Sequence, residues 1–228
     1  MVKRMEKNRC AVLVSGGLDS AVLLAEMSAT NAAVFPLFIQ AGLRWEPAEL
    51  RHLRQFLQAI ARPAIQPLQL LGMSVTDLYG NHWSISGQGI PDAASPDEAV
   101  FLPGRNVLLL AKAMLWCHLN NVPAVALAVL SANPFPDATP AFFDAYADAV
   151  NQAVQGHVQI LRPFAALKKI DVLRRGQGLP FELTFSCIEP RGLEHCGKCN
   201  KCGERRRAFR DAGIPDPTCY ASESPCIA

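Results

Sequence analysis

Several things are missing from this chain, and each absence closes off a class of protein. No apolar run approaches the ~18 residues that a membrane-spanning helix requires. Charge is nearly balanced, with 22 Lys plus Arg against 20 Asp plus Glu for a net +2, so no broad nucleic-acid surface is implied. Aromatic residues make up only 7% of the chain, which argues against an RNA reader. There is no internal repeat and no low-complexity tract. The stretch Met1 to Arg9 is basic, but the apolar run behind it is broken at Ser15 to Asp19, so it does not read as a secretory leader. A cytoplasmic protein is expected. Two phosphate fingerprints are absent as well. No Gly-Lys-Ser/Thr follows the first glycine-rich loop, which removes the Walker A motif, and the loop is not Gly-x-Gly-x-x-Gly, which disfavours a dinucleotide fold.

What is present is enough apolar material for a core. Half of the 228 residues are hydrophobic, which fits one domain with a small appendage. Strand and helix signals alternate. Residues 10–14 read as a strand, 20–29 as a helix and 33–39 as a second strand with Pro36 its doubtful point. Leu50, Leu53, Leu57 and Ile60 at helical spacing predict a helix over 46–61, and 65–71 reads as a strand. Residues 72–104, rich in Gly, Pro, Ser and Asp, read as a long irregular excursion, and such excursions are usually functional or disordered. Then come a buried helix at 106–119, strands at 124–130 and 158–161, and helices at 140–154, 167–175 and 204–212. This alternation calls for a parallel sheet with helices on both faces, whose ligands bind at the carboxyl ends of the strands.

One such end carries the most informative stretch, Ser15-Gly16-Gly17-Leu18-Asp19-Ser20, between an apolar strand and a helix. Small residues let backbone N–H groups approach a phosphate, and the helix dipole favours its charge. Ser20 can cap the helix or bind a phosphate oxygen. Asp19 fits beside phosphates only if a cation such as Mg²⁺ bridges them. Residues 131–137 are expected at another strand end.

The eight cysteines are unevenly spread. Cys10 and Cys117 sit alone in apolar stretches, as small buried residues do. Cys219 and Cys226 lie in a Pro-rich tail. Cys187, Cys196, Cys199 and Cys202 crowd together, two of the gaps being Cys-x-x-Cys. In a reducing compartment this pattern indicates a metal before a disulfide. Four thiolates suit a closed, structural Zn²⁺ site, and a [4Fe–4S] cluster takes the same ligand set. His195 is expected as a solvated turn residue. The basic stretch Lys198, Lys201, Arg205, Arg206, Arg207 and Arg210 is expected to form a solvated helix face that offsets thiolate charge.

Together these stretches resemble the PP-loop ATP pyrophosphatases, and among them the 7-cyano-7-deazaguanine synthase family. Ser15 to Ser20 is similar to the family's pyrophosphate loop. Leu102-Pro103-Gly104-Arg105-Asn106 resembles its Pro-Gly-Arg-Asn element. Leu183-Thr184-Phe185-Ser186-Cys187 followed by Cys196-Gly197-x-Cys199-x-x-Cys202 resembles its zinc module, and Arg205 to Phe209 with Asp216-Pro217-Thr218-x-Tyr220 continues the likeness. The resemblance implies a Rossmann-like fold of the adenine nucleotide alpha hydrolase type, with a nucleotide domain at 1–180 and a zinc module and tail at 181–228. It implies a ligase that uses ATP and ammonia to turn 7-carboxy-7-deazaguanine into the nitrile, through a carboxyl adenylate and an amide. Val14 to Ser20, Arg105 and Asn106 would bind ATP. Asp19, Arg105, Asp137 and Lys168 would act in the chemistry, and the four cysteines would hold zinc. The partners implied are small molecules, with no membrane and no nucleic acid, and a homodimer is the family's habit.

Other readings stand beside these. Arg105 also fits a surface ion pair, Asp137 a cap for the 140–154 helix, and Lys168 a solvated lysine. Asp92, Asp97 and Glu98 suit either Mg²⁺ or a polar loop, and Trp83 either a purine-like ring or loop packing. The chain departs from the family at Phe135-Pro136-Asp137-Ala138-Thr139, where the family shows Tyr-Pro-Asp-Cys-Arg. A paralogue that activates another carboxylate or uses another amine is therefore a second reading, and a non-catalytic nucleotide- or RNA-binding module a third.

Overall fold

The computed structural model describes residues 9–223; the basic segment before Arg9 and Cys226 lie outside them. Five parallel strands, β1 (Arg9–Leu13), β2 (Ala33–Gln40), β3 (Gln69–Gly72), β4 (Ala124–Ala126) and β5 (Gln159–Leu161), form one sheet in the order β3-β2-β1-β4-β5. Chain order runs outward from β1 to one edge, then returns to β4 on its other side. The reversal between β1 and β4 is a topological switch point, where strand-end loops diverge and leave a crevice.

Helices α1 (Leu18–Thr30) and α2 (Glu46–Ala59) cover one face with α7 (Lys169–Arg175) and α8 (Asn200–Ala212), through a core that includes Leu23, Phe56, Leu173 and Phe209. The other face takes α5 (Arg105–Leu119) and α6 (Pro140–Val154), through Leu110, Met114 and Phe143. The switch in faces follows from right-handed crossovers on either side of β1. Cys10 and Cys117 are buried in these cores, as their apolar settings indicate. The helix at 105–119 is less enclosed than its sequence suggests: Val107, Leu115 and Leu119 are exposed.

The strands expected at 65–71 and 124–130 are shorter than their apolar runs. An isolated bridge at Ile65 precedes β3, and residues 66–68 between them leave the ladder. Pro36 explains the gap. Val34 and Gln40 exchange backbone bonds with residues 64, 66 and 73, so even-numbered positions of β2 face β3. The missing N–H of Pro36 thus faces the interrupted stretch, where no donor is needed. The excursion at 72–104 contains two single-turn helices, α3 (Thr76–Tyr79) and α4 (Trp83–Ser86), and a 3₁₀ turn at Asp97–Val100. The last helix begins earlier than expected, at Asn200, and so carries Cys202 in its first turn.

Gly176 ends α7 against α1. A Cβ there would collide with Val22 Cγ2 and lie 2.7 Å from Phe181 Cζ. Gly176→Ala is expected to destabilise the fold by ~1–3 kcal/mol through overpacking, seen as a lower urea midpoint with an unchanged slope.

Candidate active site and metal centre

The turn from β1 into α1 is shaped by packing from outside. Gly16 has φ +78°, and a Cβ on it would meet the Glu49 carbonyl of α2 at 2.9 Å. Only glycine satisfies both conditions. Ser20 does not cap α1. Its hydroxyl donates to the Gly17 carbonyl at 3.0 Å and lies 3.3 Å from Ser15 Oγ, which tightens the turn. Gly17 is the N-cap and provides no side-chain acceptor, so the first N–H groups of α1 are left for an anion.

Two clefts open from this turn at the switch point. The first, about 220 Å³, is lined by Val14, Ser15, Gly17, Phe38, Leu127 and Asn106 among others. The second, about 280 Å³, has walls of Trp45, Trp83, Leu102, Phe185 and Ile188 and a polar end at Lys169, Glu204 and Arg205. Ser15, Gly17, Asp19, Glu49, Arg105 and Asn133 line both. A third, about 500 Å³, continues from Asp19 past Phe135, Lys168 and Arg207.

Asp19 sits where all three meet. Its Oδ2 accepts from Lys169 Nζ at 2.6 Å, while Oδ1 is buried and has no hydrogen-bond partner among the described residues. Lys169 also pairs with Glu204 at 3.2 Å, and Glu204 with Lys201 at 2.6 Å. The adjoining Lys169 charge, with help from Lys201, overcomes burial and holds the Glu204 carboxyl down at about 2. Burial disfavours the Lys169 charge, but Asp19 and Glu204 outweigh it and push its pKa up. Lys168 itself lines the third cleft, and its backbone N–H is bonded to Asp171 at 3.1 Å. One position separates it from Lys169, the lysine that reaches Asp19.

Arg105 and Asn106 open α5 beside the loop. Asp137 holds this end in place: its Oδ2 accepts the Asn106 N–H at 2.9 Å and its carbonyl accepts from Asn106 Nδ2 at 2.9 Å. Asp137 thus braces α5 and does not line the clefts described above, while Thr139 caps α6. Of the positions that depart from the family pattern, Phe135 stacks on Phe101 and Ala138 is buried in the α5–α6 core.

The four cysteines form the one group of three or more metal-ligand side chains drawn tightly together among the described residues, with their sulfur atoms within 4.8 Å of one another. Backbone N–H groups of Glu189 and Cys196 point at Cys187 Sγ, and those of Lys198 and Cys199 at Cys196 Sγ, each at 3.3 Å. Such donors favour thiolates. The cluster reaches the loop directly: the Phe185 N–H donates to the Gly16 carbonyl at 2.7 Å. It also fastens the excursion, since Ala93 N–H donates to Lys198 O and Asn200 N–H to Pro91 O, both at 2.9 Å.

Two basic or titratable residues of this module are buried, contrary to expectation. His195 is 3% exposed, packed on Phe185 and Tyr220, and its Nε2 accepts the Ser186 N–H. Burial, reinforced by Arg205 and His52, pushes its pKa down to about 2, so it is neutral. Arg205, 1% exposed, donates to Thr218 Oγ1, Thr184 Oγ1, Ser186 Oγ and the Phe181 carbonyl. Its neighbour Arg206 lies over the Tyr220 ring, and Arg210 pairs with Asp211. Asp92 caps its own loop through Ser95, and Asp97 lies 4.0 Å from Arg207.

Residues 9–213 match the sequence profile of the family described as "Queuosine biosynthesis protein QueC". The chain belongs to the QueC family. A 7-cyano-7-deazaguanine synthase of Allorhizobium ampelinum is 34% identical over 92% of this chain and 91% of that protein. One from Pseudomonas fluorescens is 30% identical over 95% of this chain and 100% of its own length. A solved 4-thiouridine synthetase–RNA complex with bound ATP shares the fold, with a TM-score of 0.52 at 13% identity over 95% of this chain and 48% of that one. QueC membership makes this chain an enzyme of the ligase type in queuosine biosynthesis, with a nucleotide fold common to PP-loop proteins.

An ion bound by the four cysteines would contribute several kcal/mol of stability, which its removal is expected to cost. Removal should also loosen Gly16 and the excursion. Chelation should lower the melting temperature and speed amide hydrogen exchange at Phe185 and Ala93. Unchanged exchange at both would contradict the fastening role.

Proposed function

We propose that the chain converts 7-carboxy-7-deazaguanine, ammonia and ATP into 7-cyano-7-deazaguanine. The observation that carries this reading is the junction at Asp19, where an uncapped helix N-terminus opens on two clefts that share Arg105. The first cleft suits a nucleotide, with apolar walls leading to the anion-binding turn. The second suits a planar heterocycle against Trp83 and Leu102, with its carboxyl toward Arg105. A free carboxylate is a poor electrophile because its leaving group would be oxide. Joined to the α-phosphorus of ATP, with pyrophosphate expelled, it becomes a mixed anhydride open to attack by ammonia. The resulting amide can be activated again and lose its oxygen to give the nitrile.

The protein's part is placement and charge. Amides at the start of α1 and the Arg105 guanidinium hold phosphoryl oxygens, and Lys169 and Lys168 face charge that builds on the departing pyrophosphate. The buried, unpartnered Oδ1 of Asp19 fits a Mg²⁺ ion, which would neutralise that pyrophosphate. Four buried thiolates with amide donors fit structural Zn²⁺. Such thiols, kept reduced, suit the cytoplasm. The exposed Val107, Leu115 and Leu119 on one side of α5 supply apolar surface that a homodimer can bury. Because Ala138 packs in the core and Thr139 caps a helix, the departure from the family pattern leaves the first two clefts intact, which supports the family's own substrate over a paralogous one.

Incubating the protein with ATP, Mg²⁺, ammonium and 7-carboxy-7-deazaguanine, with products read by mass spectrometry, is expected to give the nitrile together with AMP. Accumulation of amide alone, or no turnover by folded protein, would refute the assignment. Asp19→Asn should reduce kcat by on the order of a hundredfold or more, as loss of a preorganised charge does. Its melting temperature should stay close to that of the parent.

A further inference from the structure

Nitrogen enters this reaction as ammonium and leaves as a nitrile, so it sheds every proton it brought. Groups able to take a proton are few where the two clefts meet. No histidine lines either cleft. Asp19 gives Oδ2 to Lys169, and its Oδ1 is the oxygen assigned above to Mg²⁺; Glu204 is held by Lys169 and Lys201. Glu46 spends both carboxylate oxygens on the N–H groups of Ala41 and Gly42, at 2.7 and 2.9 Å. Glu49 differs from all of these. It is 8% exposed, lines both clefts, and its carboxyl makes no hydrogen bond with any described residue. Its position is rigid, because its carbonyl backs the Gly16 turn from the first turn of α2.

We propose that Glu49 receives the ammonium ion and takes a proton from it, delivering ammonia to the activated acyl carbon. The proposal rests on the reading above that the chain activates a carboxylate with ATP. One N–H bond of ammonium breaks and its proton goes to the Glu49 carboxylate. The freed lone pair forms the C–N bond, and the bond from carbon to the phosphoryl oxygen breaks with its electron pair leaving on AMP. A second proton is lost from nitrogen to solvent, which leaves a neutral amide. No oxidant or reductant is involved.

The charged groups around Glu49 suit a proton acceptor at neutral to mildly alkaline pH. Glu46 lies on its own helix. Arg105 faces it from α5, Asp19 from α1, Lys169 from α7, and Lys201, Glu204 and Arg205 from α8 line the shared second cleft. Burial pushes the Glu49 pKa up, Arg105 opposes it and Glu46 adds to it, for a value of about 8. Glu49 accepts a proton only when ionised, so amide formation should rise with pH through that value.

Glu49→Gln and Glu49→Asp provide the test, with melting temperature as the check on folding. Acid-dependent exchange of pyrophosphate into ATP, measured without ammonium, reads adenylation alone. In Glu49→Gln amide formation from ammonium should fall about a hundredfold or more relative to that exchange. Hydroxylamine, already unprotonated at neutral pH, should still give the hydroxamate. Glu49→Asp should recover part of the loss. The acid limb of kcat/KM for ammonium should lie near 8 in the wild type and move to the ammonium ion's own, more alkaline value in Glu49→Gln. Exchange that falls as far as amide formation, a raised Mg²⁺ requirement for exchange, or failure of hydroxylamine would overturn the proposal. A wild type with no acid-dependent exchange would overturn the functional reading itself.

Discussion

A single backbone hydrogen bond, from the Phe185 amide to the Gly16 carbonyl, joins the segment that leads into the four-cysteine cluster to the glycine-rich loop. A turn with a left-handed glycine and an uncapped helix start has few internal reasons to hold its shape. Here the shape is imposed from two sides, by the Glu49 carbonyl of α2 and by the strand of chain that leads into Cys187. The four-cysteine cluster is thus a buttress for that turn. The same cluster anchors the 91–96 segment, and with it the excursion that supplies the walls of the second cleft.

Charge around the junction is arranged as an alternating chain, Asp19, Lys169, Glu204, Lys201. Each member is neutralised by its neighbour, so the site carries strong local fields without a large net charge. A polyphosphate bound here as proposed would meet cations already held in place, which lowers the reorganisation it must bring about. Arg205 shows the opposite solution. Buried at 1% exposure, it is surrounded by hydroxyls and a carbonyl, and it ties α8 to Thr184, Ser186 and Thr218 as a structural strut.

Much of this was legible from local pattern. The loop, the Pro-Gly-Arg-Asn element and the cysteine spacing each depend on residues close in sequence, and the alternation of strand and helix signals is enough to imply a parallel sheet. What escaped were features made by distant segments meeting. Glu49 looks like any first-turn glutamate until α2 is seen to back the loop. Lys169 is chosen over Lys168 by the phase of a short helix whose start lies two residues later than the apolar pattern suggests. His195 and Arg205 read as polar surface because nothing nearby reveals that Tyr220, Phe185 and Thr218 close over them. Asp137 reads from sequence as a group in the chemistry or a cap for the adjoining α6; it braces a helix, but that helix is α5, through Asn106, 31 positions earlier.

The contact between Gly16 and Phe185 also sets an order of events during synthesis. Gly16 leaves the ribosome directly after β1, and its partner only after the last strand of the sheet has been made. A nascent chain can assemble its strands and bury both faces while the glycine-rich loop still lacks its second support. A polypeptide cut short within the sheet is thereby left with the Gly16 turn held from the α2 side alone.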